Sequence, residues 1–196
     1  MEPGYPVYEY SRRGLLSELR EELASGGQPD EYLAYDGSTA LVMAARCGHG
    51  AIVRELLAHG ADATLRTEDG STLLHHAASG GSGEAAEALL GAGIDPNTAN
   101  EDGVVPLILA THYKRLDVVK SLCERGADVN LAADGWGSAL DCAEDADIEA
   151  YLMSRGAQRS NGGASQPLAA AAERFHYGCF EAGVEPTSLS PVAPRA

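Results

Sequence analysis

The sequence has 196 residues and is strongly acidic, with 14 lysines and arginines against 29 aspartates and glutamates and a formal net charge of −15 at pH 7. A chain of this sign repels phosphate backbones and anionic lipid surfaces. No apolar run approaches the length of about 20 residues that a membrane-spanning helix needs. Composition therefore argues against nucleic acid and against membranes as partners.

The first part of the chain predicts a lead-in followed by a capping unit. Residues 1–10 are rich in Tyr and Pro and are interpreted as the lead-in. Residues 11–35 have the pattern of the second half of a repeat unit, with Gly14 at a turn between helices and Leu19 and Leu23 on one helical face. The charged side chains around them suit the outer face of an N-terminal half-repeat cap.

A stretch of ten residues returns almost unchanged along the chain. Asp36-Gly-Ser-Thr-Ala-Leu-Val-Met-Ala-Ala is followed 33 residues later by Asp69-Gly-Ser-Thr-Leu-Leu-His-His-Ala-Ala, and a third copy begins with Asp102-Gly-Val-Val-Pro-Leu. Asp-Gly predicts a tight turn, the Thr of the first two copies can cap a short helix, and a later Gly separates this helix from a second one. The period predicts full units at 36–68, 69–101 and 102–133.

The rest of the chain predicts the end of the repeats and a tail. Helices as short as these are marginal alone, so each unit must bury its apolar faces against the next. Residues 134–157 lack about three residues between their helices and predict a shortened C-terminal unit. Residues 158–196 predict a linker, a short helix at about 168–177 and a disordered, Pro-rich end. Whether this tail docks on the stack stays open.

The repeating pattern is Asp-Gly-x-Thr-Pro-Leu-His-x-Ala-Ala-x-x-Gly-His-x-x-x-Val-x-x-Leu-Leu-x-x-Gly-Ala-Asp-x-Asn, and it resembles the ankyrin repeat over about residues 11–157. The resemblance implies an all-α ankyrin repeat solenoid with an N-terminal half-repeat cap, three full repeats, a shortened C-terminal repeat, and a tail with one short helix. It also implies a protein that binds another protein on the concave surface formed by its hairpins and first helices.

The sequence contains no arrangement that indicates catalysis, a cofactor or a metal. His49 and His75 occupy positions of the repeat pattern, and His76 follows His75 on a neighbouring helical face, so the two imidazoles do not converge on one metal. No phosphate-binding loop, dinucleotide fingerprint or nucleophile elbow is present. We therefore expect no enzyme activity, no cofactor and no metal, and keep an enzyme as a distant alternative.

The four cysteines, at positions 47, 123, 142 and 179, show no Cys-x-x-Cys pair and no zinc-ligand spacing. Cys123 and Cys142 stand where the repeat pattern has Leu, which indicates small core residues. Unpaired thiols and an acidic first segment favour a reducing compartment, so the cytoplasm is the expected location.

The positions around each Asp-Gly and after each Ala-Ala are expected to point to the concave surface. Acids at the hairpin tips and several aromatic side chains stand out there. Asp before Gly is also explained by turn chemistry, but Glu68 and Glu101 are not needed by the turn. Trp136 could instead fold over the last helix. The predicted partner-binding residues are Tyr35, Asp36, Arg46, Glu68, Asp69, Glu101, Asp102, Val104, His112, Tyr113, Asp134 and Trp136.

These acids and aromatics favour a protein partner with a basic or Arg-bearing segment, bound by a chain that is monomeric on its own. The alternative is a regulatory or chaperone subunit that acts through its C-terminal tail, with the repeats as a rigid holder. Truncation at Gly156 separates these hypotheses, because loss of binding would favour the tail.

Overall fold

The computed structural model describes residues 5–30, 34 and 37–160. Within these residues the chain forms nine helices and one two-stranded hairpin. The helices are α1 (Pro6–Arg13), α2 (Leu16–Ala24), α3 (Ala40–Arg46), α4 (Gly50–Ala58), α5 (Leu73–Gly80), α6 (Gly83–Gly91), α7 (Pro106–His112), α8 (Leu116–Glu124) and α9 (Ala146–Ser154). The strands β1 (Ala132–Ala133) and β2 (Gly137–Ser138) pair in antiparallel fashion.

The helices form two layers along the stack. The inner layer holds α1, α3, α5 and α7, each packed against the next, and the outer layer holds α2, α4, α6, α8 and α9 in the same order. The two helices of a unit also contact each other, and the apolar faces join in one core from Val7 to Leu152. This arrangement confirms the predicted all-α solenoid. None of the described helices is long and apolar enough to cross a membrane.

The inner helices begin where the sequence places their caps. Thr39 Oγ1 accepts a hydrogen bond from the Val42 N–H at 3.3 Å, which satisfies one of the open donors at the start of α3. Thr72 and His75 form a reciprocal capping box at the start of α5. Pro106 is the first residue of α7, where its missing N–H costs no helical hydrogen bond.

The turn between the two helices of a unit uses a left-handed backbone conformation. Gly14, Gly48 and Gly81 have φ values of 76°, 74° and 81° at this point. Lys114 occupies the same place in the third full unit with φ of 58°, which brings the Cβ of an L-residue close to its own backbone. The unit therefore keeps the glycine-type turn although its sequence has lost the glycine.

The N-terminal unit differs from the prediction. Helix α1 starts at Pro6, inside the predicted lead-in at 1–10, so the first unit has two helices and is not a half-repeat. Val7 and Ser11 are one helical turn apart and buried, and the Ser11 hydroxyl donates to the Val7 carbonyl at 2.7 Å. Burial against α3 stabilises this short helix, and the prediction missed it because Tyr and Pro were interpreted as linker residues.

The last unit is shortened, as the sequence predicts, but it has one helix and not the two that were expected. Residues 139–142 form a turn in place of a full inner helix, and α9 follows as the outer helix. The Asp145 carboxylate caps α9 by accepting from the N–H groups of Asp147 and Ile148. The predicted short helix at about 168–177 and the Pro-rich end lie outside the described residues.

Candidate functional site

Two tight turns form the tips of adjacent hairpins. In the first, the Thr67 N–H donates to the Ser71 carbonyl at 3.1 Å; in the second, the Asn100 N–H donates to the Val104 carbonyl at 3.0 Å. The tips are also joined to each other, since the Glu101 N–H donates to a main-chain carbonyl of the preceding tip at 3.1 Å. Their backbone is therefore fixed before any partner arrives.

The Asp69 carboxylate stabilises its own turn by accepting hydrogen bonds within it. Its Oδ1 accepts from the Thr67 hydroxyl at 2.6 Å and the Ser71 N–H at 3.1 Å, and its Oδ2 accepts from the Ser71 hydroxyl at 2.7 Å. Burial alone would raise the pKa of Asp69, but these hydrogen bonds outweigh it and hold the pKa below its usual value. The turn explanation given by the sequence thus accounts for this carboxylate.

At the next tip, the side chain of Asn100 accepts the hydrogen bonds that stabilise the turn. Its side-chain oxygen accepts from the Val104 N–H at 2.9 Å and from the Asp102 N–H at 3.2 Å. Asn100 is buried, whereas Glu101 and Asp102 are exposed. The sequence analysis did not select Asn100, although an Asn two residues before an Asp-Gly turn is a recognisable signal.

Four acids along the tips are exposed, and we call them the tip carboxylates: Glu68, Glu101, Asp102 and Asp134. Glu68, Glu101 and Asp134 recur with the period of the repeat, so they form one row across three adjacent tips. In the two described turns, at residues 67–71 and 100–104, the side chains that accept the main-chain hydrogen bonds are those of Asp69 and Asn100, and not the Glu68 or Glu101 carboxylate.

Two predicted partner-binding residues are buried, so these predictions are wrong. Val104 is 0% exposed, and its carbonyl accepts from His75 Nε2 at 2.9 Å. Its equivalents Ser38 and Ser71 are buried as well, which shows that the side chain after each Asp-Gly points into the stack. Trp136 is 3% exposed and lies in the core, as the alternative explanation for this residue held.

The aromatic residues of the third unit line up beside Trp136. The His112 ring meets the Trp136 ring edge-on, with 5.4 Å between the ring centroids. It also meets the Tyr113 ring edge-on, with 5.0 Å between the ring centroids. Burial raises the pKa of the half-buried Tyr113 hydroxyl. His112 and Tyr113 therefore present partly covered edges to solvent, in a fixed orientation.

The first full unit contributes less to the described surface. Arg46, at the end of α3, is half-buried, and its guanidinium Nη2 donates to the Ser38 hydroxyl. Tyr35 and Asp36 lie outside the described residues. The structure thus places Glu101 and Asp102 on one tip and His112 and Tyr113 at the end of helix α7 that follows it, with Glu68 and Asp134 on the tips at either side.

The described residues offer little chemistry beyond this surface. In residues 5–30, 34 and 37–160, no group of three or more His, Cys, Asp or Glu side chains is placed to hold a metal ion. Burial raises the pKa of the Cys123 thiol to about 11 and that of the Cys142 thiol to about 12, so both stay protonated. Cys47 is disulfide-bonded, which the sequence analysis did not predict.

A comparison with curated proteins found no match. A family model described as ankyrin repeats matches the chain in three copies, over residues 10–100 and 65–133. These matched residues hold eight of the described helices in part or in full, and the hairpin tips between them. Ankyrin repeats are generally protein-protein interaction modules and are typically non-catalytic. The chain belongs to the ankyrin repeat family.

Proposed function

We propose that this chain is a non-catalytic binding module that holds a basic, Arg-bearing segment of another protein along its tip carboxylates. The observation that supports this proposal is the row of Glu68, Glu101 and Asp134, which are exposed and recur at the repeat period. Asp102 adds a second carboxylate on the central tip. A row with this period suits an extended segment that carries several cations.

The overall charge of the chain supports the same partner. A net charge of −15 creates a negative field that attracts a basic segment from a distance and speeds its association. His112 and Tyr113 would add contact area beside the central tip, since aromatic rings are frequent anchors in interfaces. A cytoplasmic location and a monomeric state are part of this proposal.

The experiment uses the chain of 196 residues and peptides displayed on phage. Random twelve-residue peptides are selected on the immobilised protein, and the recovered sequences are expected to be enriched in Arg. The best peptide is then titrated by fluorescence anisotropy against the variant Glu68→Gln, Glu101→Gln, Asp134→Asn. If each exposed charge pair contributes about 0.5 kcal/mol, the three changes together weaken the peptide about tenfold.

A matched variant controls for net charge. Glu18, Glu87 and Glu124 are exposed acids on the outer helices α2, α6 and α8, and changing all three to Gln removes the same charge from the opposite layer. This control is expected to weaken the peptide less than twofold. An equal loss in both variants would mean that only the overall field matters, and the proposed site would be wrong.

A further inference from the structure

Adjacent units of the stack are joined by side chains at recurring places, so one junction can be compared with the next. In the loop after α6, the Asn97 amide donates to the Gly126 carbonyl of the next unit at 3.1 Å. It also accepts from the Asp128 N–H of that unit at 2.7 Å. Asn130, one repeat period later, makes the equivalent pair of contacts. The junctions after α6 and after α8 are therefore held from the same position of the repeat.

The first junction, between the N-terminal unit and the unit that contains α3 and α4, is held by other side chains. The Asp30 carboxylate accepts from the Asp62 N–H at 2.9 Å. The Arg20 guanidinium on α2 donates to the Glu55 carboxylate on α4 at 2.8 Å. Helices α1–α4 are thus joined to one another by polar contacts as well as by their apolar faces.

The next boundary, between helices α3 and α4 on one side and α5 and α6 on the other, is built differently, and we call it the middle junction. Thr64 stands where the later units have Asn97 and Asn130. Its N–H and its hydroxyl both donate to the Asp62 carboxylate of the same unit, at 2.8 Å and 2.6 Å. The polar atoms of this side chain are therefore used within their own unit.

The inner helices show the same difference. His75 on α5 donates from Nε2 to the Val104 carbonyl of the next unit at 2.9 Å. One repeat period earlier, α3 has Val42, whose side chain carries no donor. The buried hydrogen bond that joins α5 to the unit after it thus has no counterpart from this position of α3.

The apolar contacts do not offset these differences. Ala85 and Ala86 are buried on α6, at positions where α4 and α8 each have two β-branched residues. Alanine buries less apolar area than Val or Ile, so α6 contributes less to both of its neighbours. Helices α3 and α5 approach closely at Gly80, but a glycine adds no side chain to the contact. On the α8 side the bonds of Asn97 and His75 compensate, and the middle junction lacks them.

An exposed ion pair crosses the middle junction. Arg54 on α4 and Glu84 on α6 form it, and their side chains are 64% and 44% exposed. Exposed pairs of this kind add little to stability and are weakened by salt. The middle junction is therefore the most weakly held of the boundaries between α1 and α9.

We propose that the stack opens at the middle junction, so that helices α1–α4 unfold together while α5–α9 stay folded. Helices α1–α4 have only seven to nine residues each, and such helices are marginal without neighbours on which to pack. Once α3 and α4 lose their contact with α5 and α6, two units remain, which is fewer than a stable stack needs. Helices α1–α4 therefore open as one cooperative unit.

Helices α5–α9 keep the contacts that join their own units. These are the hydrogen bonds of His75 and Asn97 and the main-chain bond from Glu101 to Asp69. The described tip turns lie on this side of the junction, so the tip carboxylates stay in place when α1–α4 open. The opening is thus a conformational property of the fold and does not depend on the proposed function.

Native-state amide exchange tests the proposal. The chain of 196 residues is exchanged in deuterated water at low urea concentrations, and its amides are followed by NMR. A reductant keeps the disulfide at Cys47 open, so that it adds no covalent link at the end of α3. The slowest amides of α3 and α4 are expected to share one protection factor. This factor should be at least about tenfold lower than the one shared by α5–α8.

Two variants perturb the junctions separately. Thr64→Asn supplies a side chain that can donate to the Gly93 carbonyl and accept from the Asp95 N–H, the equivalents of the Asn97 partners. It should slow exchange in α3 and α4 about tenfold, the factor expected from two hydrogen bonds of modest net strength. Asn97→Ala removes a contact that stays intact when α1–α4 open. It should therefore speed exchange in α7 and α8 about tenfold and change exchange in α3 and α4 less than about twofold.

Three results would overturn the proposal. A single protection factor across α3–α8 would show that the stack unfolds as a whole. Exchange of α5 and α6 together with α3 and α4 would move the weak boundary to the next junction. An equal effect of Asn97→Ala on α3, α4, α7 and α8 would show that no state with only α1–α4 open is populated. The experiment needs no partner, so its result is independent of the proposed binding site.

Discussion

At the scale of single residues, His75 shows how a polar side chain can link two units from inside the core. Its Nδ1 accepts from the Thr72 N–H at 3.1 Å, and its Nε2 donates to the Val104 carbonyl of the next unit at 2.9 Å. Burial lowers the pKa of His75 to about 4, and its hydrogen bonds fix the neutral ring with the proton on Nε2. Protonation would place a second proton on Nδ1, where it faces a donor.

We predict that His75 makes stability fall in mild acid. Because its pKa is lower in the folded chain than in the unfolded chain, the unfolded chain binds the proton first as the pH falls from about 6.5 towards 4. The contribution of His75 to the free energy of unfolding is therefore complete above pH 6.5 and decreases below it, by about 2 kcal/mol at pH 5. Urea unfolding at pH 7 and pH 5 measures this loss, and His75→Asn should lack it.

An NMR titration of the folded chain checks the same assignment independently. The His75 ring signals should remain those of neutral imidazole down to about pH 5. A midpoint near pH 6.5 would show that the ring is not buried in its neutral form. This measurement does not depend on whether the His75→Asn variant folds.

Single residues also show where sequence reasoning stops. The tips could be located from the sequence because Asp-Gly fixes a turn, and the exposed acids Glu68 and Glu101 were selected on that basis. The direction of the next side chain could not be read from the sequence. Val104 and Trp136 were placed on the surface, although the turn directs both into the core. A hydrophobic side chain after a turn is evidence for burial.

At the scale of elements, the glycines of the second full unit allow close packing between helices. A Cβ on Gly80, at the end of α5, would collide with the Ala45 carbonyl and lie 2.6 Å from the Arg46 carbonyl at the end of α3. Gly91, the last residue of α6, has no neighbour within 4 Å of a Cβ. Two helix-terminal glycines of one unit therefore have different roles.

We predict opposite effects of an added methyl group at these two positions. Gly80→Ala forces α3 and α5 apart and should lower the free energy of unfolding by about 1–3 kcal/mol. Gly91→Ala meets open space in a helix and should raise it by up to about 1 kcal/mol. Urea titrations of both variants make the comparison. Equal effects of the two changes would show that helix propensity, and not contact between units, decides the outcome.

The elements themselves were largely predictable. The repeat period located eight helices from α2 to α9, because turn residues and apolar faces recur in register. Helix α1 was missed because it precedes the first recognisable Asp-Gly and is stabilised by its contact with α3. A sequence pattern predicts a helix only when the residues that stabilise the helix lie within the same segment. Helix α1 is stabilised by tertiary packing, so its own residues do not predict it.

At the scale of the whole molecule, asparagines join one unit to the next. The Asn97 amide donates to the Gly126 carbonyl at 3.1 Å and accepts from the Asp128 N–H at 2.7 Å. Asn130 makes the equivalent pair of contacts with Gly156 and Gln158. At the corresponding place of the first full unit, the Thr64 hydroxyl donates to Asp62 of its own unit.

We predict that Asn97→Ala weakens the stack more than Thr64→Ala does. Loss of the two hydrogen bonds between units should cost about 1–2 kcal/mol, whereas Thr64→Ala removes an exposed bond within a unit and should cost less than about 0.5 kcal/mol. Equilibrium unfolding in urea, with a broader transition for Asn97→Ala, is the measurement. A sharp transition with unchanged midpoint would show that these asparagines do not couple the units.

The whole molecule also has features that no pattern along the sequence predicts. The stacking of units could be predicted because short helices cannot persist alone. The disulfide at Cys47 could not, because cysteine pairing depends on which segments meet in space and not on spacing along the chain. The identity of the partner could not be predicted either, because the family indicates how the chain binds and not which protein it binds.

The bond between the Glu101 N–H and the Asp69 carbonyl belongs to the main chain, and no side-chain identity enters it. The two tips that carry Glu68 and Glu101 therefore keep their distance whichever side chains stand on them. Mutations can change the tip carboxylates one at a time while the main chain beneath them stays in register. Relatives of this protein can therefore come to bind different partners without a change of fold.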